Sequence, residues 1–170
     1  MEGSLPLTIA AVEATAAGTQ GATAASRSSA SSTLALSTVH SDANFACPAL
    51  RVDKWTSQRV PTFAYEFNDD QAPARFVRLD PPVATHTSEL PYLFDLPDTR
   101  VQDPLNADQQ KLAAGMRAAW ANFAANANPS TTAVPWPTFY NNTHVMSLLP
   151  AKPQAEDFAT KHHCSFWAAG

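Results

Sequence analysis

The sequence lacks long apolar runs and clusters of basic residues. No window approaches the ~20 consecutive apolar residues that a membrane-spanning helix requires. The N-terminus carries Glu2 where a signal peptide would have basic residues, so no signal peptide is expected. The 11 Lys and Arg residues are scattered, and the formal net charge is -4. Because nucleic-acid binding requires clustered positive charge, we do not expect a nucleic acid as a partner. Because no apolar run is long enough to span a bilayer, we do not expect a membrane as a partner either.

Cysteine is also scarce. Cys47 and Cys164 are far apart, and each lies among apolar and aromatic residues. A zinc site requires paired ligands that are close in sequence, so this pattern does not predict one. The residues alone leave two alternatives open: two buried free thiols, or one disulfide, which would indicate an oxidising compartment.

The apolar residues are unevenly distributed. With 170 residues, of which 45% are apolar, the chain can bury one sizeable core. Residues 1–33 consist mainly of Ala, Thr, Ser and Gly, a composition that buries too little apolar surface to offset the entropy of ordering it. We therefore expect residues 1–33 to be disordered or only weakly structured, and residues 34–170 to fold.

Two hydrophobic patterns predict the main elements of the folded part. Apolar side chains alternate with small or polar ones over residues 60–67, VPTFAYEF, which predicts a strand. Asn106 and Gln109 have capping-box spacing, which predicts the start of a helix that runs to about Asn126. The inward stripe of this helix consists of Leu112, Met116, Trp120 and Phe123.

Weaker patterns predict a short helix over residues 34–50 that is ended or kinked at Pro48, an edge strand over residues 144–149, and a final short helix over residues 155–167. One clear strand and one clear helix do not make a self-contained fold, because a strand requires a sheet to join. We therefore expect the chain to be part of a larger fold.

Five stretches of the sequence carry a family resemblance when taken together. In chain order they are SDANFACPAL, VPTFAYEFND, THTSELPYLF, ADQQKLAAGMRAAWANFAANANPS, and VPWPTF with HHCSFW. They resemble the C-terminal third of type B carboxylesterases, the cholinesterase-like branch of the α/β-hydrolases. The resemblance implies an α/β fold that is incomplete as a domain, with a few strands of the central sheet and their packing helices. It also implies hydrolysis of small carboxylic esters without a metal or organic cofactor.

The resemblance assigns the role of triad histidine to His86 in THTSELPYLF. A neutral imidazole within hydrogen-bond reach removes the proton of the nucleophilic serine, and the imidazolium then protonates the departing alkoxide. The matching glutamate of the family, Glu89 here, is implied to belong to the polar network behind the site and not to be the triad acid.

The other two triad members are missing from the sequence. It contains no Gly-x-Ser-x-Gly motif for a nucleophile elbow and no glycine-rich oxyanion loop. The resemblance places the triad acid upstream of this chain. We therefore expect the isolated chain to be inactive, with the missing N-terminal portion of the hydrolase as a candidate partner. The alternative is a non-catalytic remnant or an interaction domain of the same fold.

The resemblance also bears on the cysteines. Family members with cysteines at both matching positions join them, which implies a disulfide between Cys47 and Cys164 worth ~4 kcal/mol in the chain-entropy account. Such a bond would indicate an extracellular or periplasmic location. The adjacent His162, His163 and Cys164 have no fourth ligand nearby, so no metal site is expected. Asp42 suits capping of a helix or turn.

Overall fold

The computed structural model describes residues 8–12, 32–73, 81–95, 103–140 and 145–168. In chain order, the elements are β1 (Thr8–Val12), α1 (Ser32–Ser41), a π-helical segment (Asp42–Ala46), α2 (Cys47–Ser57), β2 (Thr62–Phe67), α3 (Leu90–Leu93), α4 (Ala107–Asn126), β3 (Val145–Leu148), β4 (Gln154–Glu156), α5 (Phe158–Lys161) and α6 (Cys164–Trp167). No helix among them is both long enough and apolar enough to cross a membrane.

The four strands form one sheet in the order β1, β2, β3, β4. β2 is parallel to both β1 and β3, whereas β4 is antiparallel to β3. Tyr65 at the centre of β2 is paired with Ala11 of β1 and with Met146 of β3. Every residue of β2 is buried, as in parallel strands that are covered on both faces. The expected α/β class is confirmed.

The two faces of the sheet contact two different hydrophobic clusters. Phe63, Tyr65 and Phe67 of β2 belong to the cluster that contains the buried side of α4, and Ala64 belongs to the cluster that contains the disulfide. This division follows from the alternation of side chains along a strand. Polar residues that alternate with the three aromatics therefore lie on the disulfide side of the sheet.

The strand β1 differs from the expectation of disorder over residues 1–33. Its sequence, TIAAV, contains the β-branched residues Thr8, Ile9 and Val12, and it is paired with β2 over its whole length. Pairing to an existing strand supplies backbone hydrogen bonds that a composition argument does not consider. Residues 1–7 and 13–31 lie outside the described residues, so for them the expectation stays a prediction.

The long helix α4 begins and ends as predicted. The Asn106 side chain accepts hydrogen bonds from the backbone N–H groups of Asp108 and Gln109, and the Gln109 side chain accepts one from the Asn106 N–H, which completes the capping box. The helix ends before Ala127, which has a left-handed backbone conformation with φ 59.

The N-terminal helices differ from the expectation at Pro48. The helix continues through Pro48 to Ser57, and the turn before this proline is π-helical, with the Cys47 N–H donating to the Asp42 carbonyl five residues earlier. Such a wider turn relieves the clash between a proline ring and the preceding turn of the helix. The π-helical segment Asp42–Ala46 connects α1 to α2 without a loop.

The C-terminal part also differs. β3 lies between β2 and β4, so it is an internal strand and not the expected edge strand. The expected single helix over residues 155–167 is instead the end of β4 followed by α5 and α6. His163, with φ 51, separates the two helices because a left-handed residue cannot continue an α-helix.

Candidate active site

His86 lies in a compact turn between residue 85 and α3, and its side chain is exposed. The Thr85 carbonyl accepts hydrogen bonds from the Ser88 N–H, at 3.0 Å, and from the Ser88 hydroxyl, at 2.7 Å. The Leu90 N–H donates to the Thr87 carbonyl at 3.2 Å. These hydrogen bonds close the turn, and the side chain of His86 is exposed to solvent.

Thr87, the neighbour of His86, has an unfavourable conformation. Its φ is 71, in the left-handed region that β-branched residues rarely adopt. Its hydroxyl group is buried and has no hydrogen-bond partner. Each of these features destabilises the turn by an amount on the order of 1–3 kcal/mol. The surrounding structure must therefore hold this turn in place.

The segment before His86 is attached to the end of β2. Directly after the strand, the Asn68 N–H donates to the Leu148 carbonyl at 2.9 Å, and the Ala84 N–H donates to the Asp70 carboxylate at 3.0 Å. Partial burial raises the pKa of Asp70, while this hydrogen bond opposes the shift. His86 thus follows the carboxyl end of a parallel strand, the edge where α/β proteins place their ligands.

The segment after His86 is attached to the same end of β2 through Tyr92 of α3. The Tyr92 hydroxyl donates a short hydrogen bond to the Asp69 carboxylate, which also accepts from Gln109 Nε2 at 2.8 Å. Burial raises the pKa of Tyr92 well above its usual range, and the bond to Asp69 adds to the shift. The phenol therefore stays protonated and remains a donor.

The helix α3 is also attached to α4. Arg117 Nη1 donates to the Tyr92 carbonyl at 2.8 Å, and the Tyr92 ring packs edge-to-face on Phe67, with ring centroids 4.9 Å apart. Tyr92 has no exposed surface. The residues that follow His86 are thus fixed to β2 and to α4.

Glu89 lies at the end of the same turn and caps α3 by position. Its side chain is half-buried, and its carbonyl accepts a hydrogen bond from the Tyr92 N–H at 3.0 Å. Its expected role behind the catalytic histidine stays a prediction.

The disulfide between Cys47 and Cys164 is confirmed. Both residues are buried in the cluster on the face of the sheet opposite α4, so the bond fixes α6 to the start of α2. Cys47 thereby provides no free thiol.

A buried ionic cluster lies on the disulfide face, and sequence reasoning missed it. The His162 ring lies between two carboxylates, with Nδ1 2.7 Å from Asp42 Oδ1 and Nε2 3.0 Å from Glu66 Oε1. Lys161 Nζ lies 2.8 Å from Glu66 Oε2 and 3.2 Å from Glu156 Oε1. The interpretation of Asp42 as a cap is therefore corrected, because its carboxylate is the partner of His162.

The charges of this cluster follow from its contacts. Burial alone would favour neutral His162, but hydrogen bonds and charge from Asp42 and Glu66 outweigh burial and raise its pKa to about 9. Burial likewise opposes ionisation of Glu66, yet His162 and Lys161 lower the pKa of this carboxyl to about 2. Burial, followed by the contact with Glu66, raises the pKa of Glu156 to about 7.

Sequence reasoning also missed the two aspartates that follow β2. Asp69 and Asp70 come directly after β2, and two carboxylates at the end of a buried strand are a sequence signal for a site at that edge of the sheet. Gln109 was interpreted only as a cap, and its amide group also donates to Asp69. Across the described residues, no group of three or more His, Cys, Asp or Glu side chains is arranged to hold a metal ion.

A mostly parallel sheet with a central strand buried on both faces, and a histidine turn beyond that strand, is typical of the α/β-hydrolase class, and solved structures share this fold. The structure of a thermophilic PNB esterase superimposes with a TM-score of 0.60 at 24% identity, covering 79% of this chain and 28% of that chain. Another PNB esterase superimposes with a TM-score of 0.57 at 25% identity, covering 78% of this chain and 26% of that chain.

The particular family within this class follows from the sequence match. The family model described as the carboxylesterase family matches residues 9–167, and the chain belongs to that family. It is 29% identical over 127 residues to cocaine esterase of Homo sapiens, covering 74% of this chain and 22% of that protein. It is 29% identical over 115 residues to para-nitrobenzyl esterase of Bacillus subtilis (strain 168), covering 65% of this chain and 22% of that protein. The chain spans about a fifth of the length of these relatives.

Proposed function

We propose that this protein is the part of a carboxylic ester hydrolase that supplies the triad histidine, His86. The observation that carries the proposal is the exposed His86 on a turn tied to the carboxyl end of β2, in a chain that belongs to the carboxylesterase family. The names of the relatives, cocaine esterase and para-nitrobenzyl esterase, favour small carboxylic esters as the substrate class.

In the proposed mechanism, His86 moves one proton in each half of the reaction. The neutral imidazole accepts the serine proton while the serine oxygen attacks the ester carbonyl carbon. The imidazolium then donates that proton to the alcohol oxygen as the bond between carbon and this oxygen breaks, which leaves an acyl-serine. Water attacks the acyl group with the same proton movements, and serine and the carboxylic acid are released.

The serine and the acid of the triad would come from the N-terminal portion of such a hydrolase. The chain contains no Gly-x-Ser-x-Gly motif, so the isolated chain is expected to be inactive. Glu89, in the turn that carries His86, would stabilise the polar surroundings of the imidazole. No metal or organic cofactor is required by this mechanism.

The same missing motif favours a second candidate function. A chain without its nucleophile could serve as a non-catalytic interaction domain of the same fold. The two candidates differ in whether a complementary N-terminal portion restores hydrolysis.

A graft tests the first candidate. Residues 8–170 are joined behind the N-terminal portion of the Bacillus subtilis para-nitrobenzyl esterase that precedes its matched region, and hydrolysis of para-nitrophenyl acetate is measured. We expect an active graft whose kcat falls by roughly 10³-fold or more in His86→Ala. The matched control is His40→Ala, which removes another exposed histidine, on α1.

The outcomes separate the candidates. An active graft that is indifferent to His86→Ala would sink the assignment of the general base. A folded but inactive graft, with the parent esterase active under the same conditions, would favour the non-catalytic candidate.

A further inference from the structure

We propose that Asp69 and Asp70 are positioning residues for His86, which hold the two ends of its turn against the carboxyl end of β2. The inference rests on the proposed function for its catalytic meaning, but its structural content can be measured in the isolated chain. Neither aspartate needs to contact the substrate. Their role is to fix where the imidazole lies.

Both oxygens of the Asp69 carboxylate accept hydrogen bonds. Asp69 is 4% exposed and accepts hydrogen bonds from the Tyr92 hydroxyl, from Gln109 Nε2 at 2.8 Å and from the Gln71 N–H at 2.9 Å. A buried carboxylate is strongly unfavourable unless such donors surround it. Since its donors come from the turn after β2, from α3 and from α4, Asp69 is the point at which these three elements join.

The link from Asp69 to the turn of His86 runs through Tyr92. Oδ1 of Asp69 accepts a hydrogen bond from the Gln71 N–H, and Oδ2 accepts from the Tyr92 hydroxyl and from Gln109 Nε2. Because Tyr92 lies in α3, directly after the turn, this hydrogen bond joins the end of β2 to the chain that follows His86.

The two attachments lie on either side of His86. Asp70 holds Ala84, two residues before the histidine, and Asp69 holds Tyr92, six residues after it. Between them lies Thr87, with its φ of 71 and its unpartnered hydroxyl. A turn with such a residue relaxes when its ends are released, so the two attachments maintain the conformation that presents His86.

The test uses hydrogen exchange in the full chain and kinetics in the graft described above. Tyr92→Phe removes only the hydroxyl that reaches Asp69, and Tyr140→Phe, at a tyrosine that is 74% exposed, is the control. We expect Tyr92→Phe to raise the exchange rates of the Ser88 and Leu90 amides by about 10-fold to 100-fold, while the centre of α4 is unaffected. Tyr140→Phe should change neither.

A second pair of variants tests the other attachment, at Asp70, which is partly exposed. Asp70→Asn keeps an oxygen that accepts the Ala84 N–H, whereas Asp70→Ala removes it. We expect faster exchange of the Ala84 amide in Asp70→Ala and rescue in Asp70→Asn. In the graft, Tyr92→Phe and Asp70→Ala should each lower kcat by about 10-fold or more, whereas KM should change less than about twofold. The reason is that the position of the imidazole affects the transition state more than it affects substrate binding.

Each outcome decides one of the two proposals. Faster exchange that is equal in the turn and throughout α4 would mean that Tyr92 acts only on global stability, which overturns the positioning role. Unchanged exchange in the turn would overturn it as well. An inactive graft in which the turn still loosens as expected would contradict the proposed function and leave the attachments supported.

Discussion

The buried His162 makes the stability of this protein depend on alkaline pH in a defined way. Both of its ring nitrogens face carboxylates, Asp42 at 2.7 Å and Glu66 at 3.0 Å, so both must donate and the ring must be an imidazolium. Lys161 and Glu156 are the other charged groups of the cluster. Losing the imidazolium proton would leave two buried carboxylates with Lys161 as their remaining cation.

The magnitude follows from the pKa of His162, which rises from 6.5 to about 9 on folding. A difference of one pKa unit corresponds to about 1.4 kcal/mol, so the protonated ring contributes roughly 3 kcal/mol. Because the folded pKa is the higher one, this contribution is fully present below pH 6.5 and is lost as the pH rises through 9. The low pKa of Glu66 reflects the same ion pair and is not counted again.

The assay is urea unfolding of the oxidised chain, followed by tryptophan fluorescence, at pH values from 6 to 9.5. We expect the contribution of His162 to the free energy of unfolding to fall by roughly 3 kcal/mol over this range, with more than half of the loss above pH 7.5. Burial raises the pKa values of Glu156 and Asp53 to about 7. Ionisation of these two carboxyl groups also lowers the free energy of unfolding as the pH rises, but mainly below pH 7.5. The window above pH 7.5 therefore isolates His162.

Two variants sharpen the test. His162→Gln removes the charge, so it should be less stable by about 3–5 kcal/mol at pH 6 and lose the alkaline dependence. His163→Gln, at the exposed neighbour, should behave as the unmodified chain. An alkaline dependence that survives in His162→Gln would refute this account of the cluster.

Three further predictions concern other parts of the molecule. Asp53, whose buried carboxylate has no hydrogen-bond partner and whose pKa burial raises to about 7, should destabilise the fold increasingly as the pH rises from 4 to 7. Asp53→Leu should therefore raise the free energy of unfolding at pH 8 by roughly 2–4 kcal/mol, measured by urea unfolding, and no gain would contradict the assigned burial. Gly115→Ala should stabilise the chain by about 1 kcal/mol, seen as a higher Tm, because Gly115 lies inside α4 and a Cβ there meets nothing within 4 Å. Reduction of the Cys47–Cys164 bond, which spans a sequence separation of 117, should lower the free energy of unfolding by about 4–5 kcal/mol, and a loss below about 1 kcal/mol would mean that the reduced chain keeps its loop closed by other contacts.

Local signals made parts of the fold predictable. The alternation of aromatic residues identified β2, since side chains of a strand point to opposite faces in turn. The spacing of Asn106 and Gln109 identified the start of α4, since a capping box involves only residues within one turn. The turn of His86 was recognised because its surrounding motif is continuous in sequence.

Other features required the tertiary structure. β1 was missed because the partner that stabilises it, β2, lies about fifty residues later in the chain. The continuation of the helix through Pro48 was not predicted, because it depends on the π-helical segment before α2. The internal position of β3 was not predicted, because it depends on pairing with β4, which has no clear pattern in the sequence.

By itself, the sequence determined the elements whose stabilising contacts are local, the candidate histidine, and two alternatives for the cysteines that the family resemblance reduced to one. Only the tertiary structure decided which polar groups meet. Asp42 meets His162 across 120 residues, and Asp69 meets Gln109 across 40. The physical reason is that a buried charge is stable only beside a partner, and any polar residue of suitable chemistry can be that partner. The pairing is therefore set by the packing of the chain and not by a spacing in the sequence.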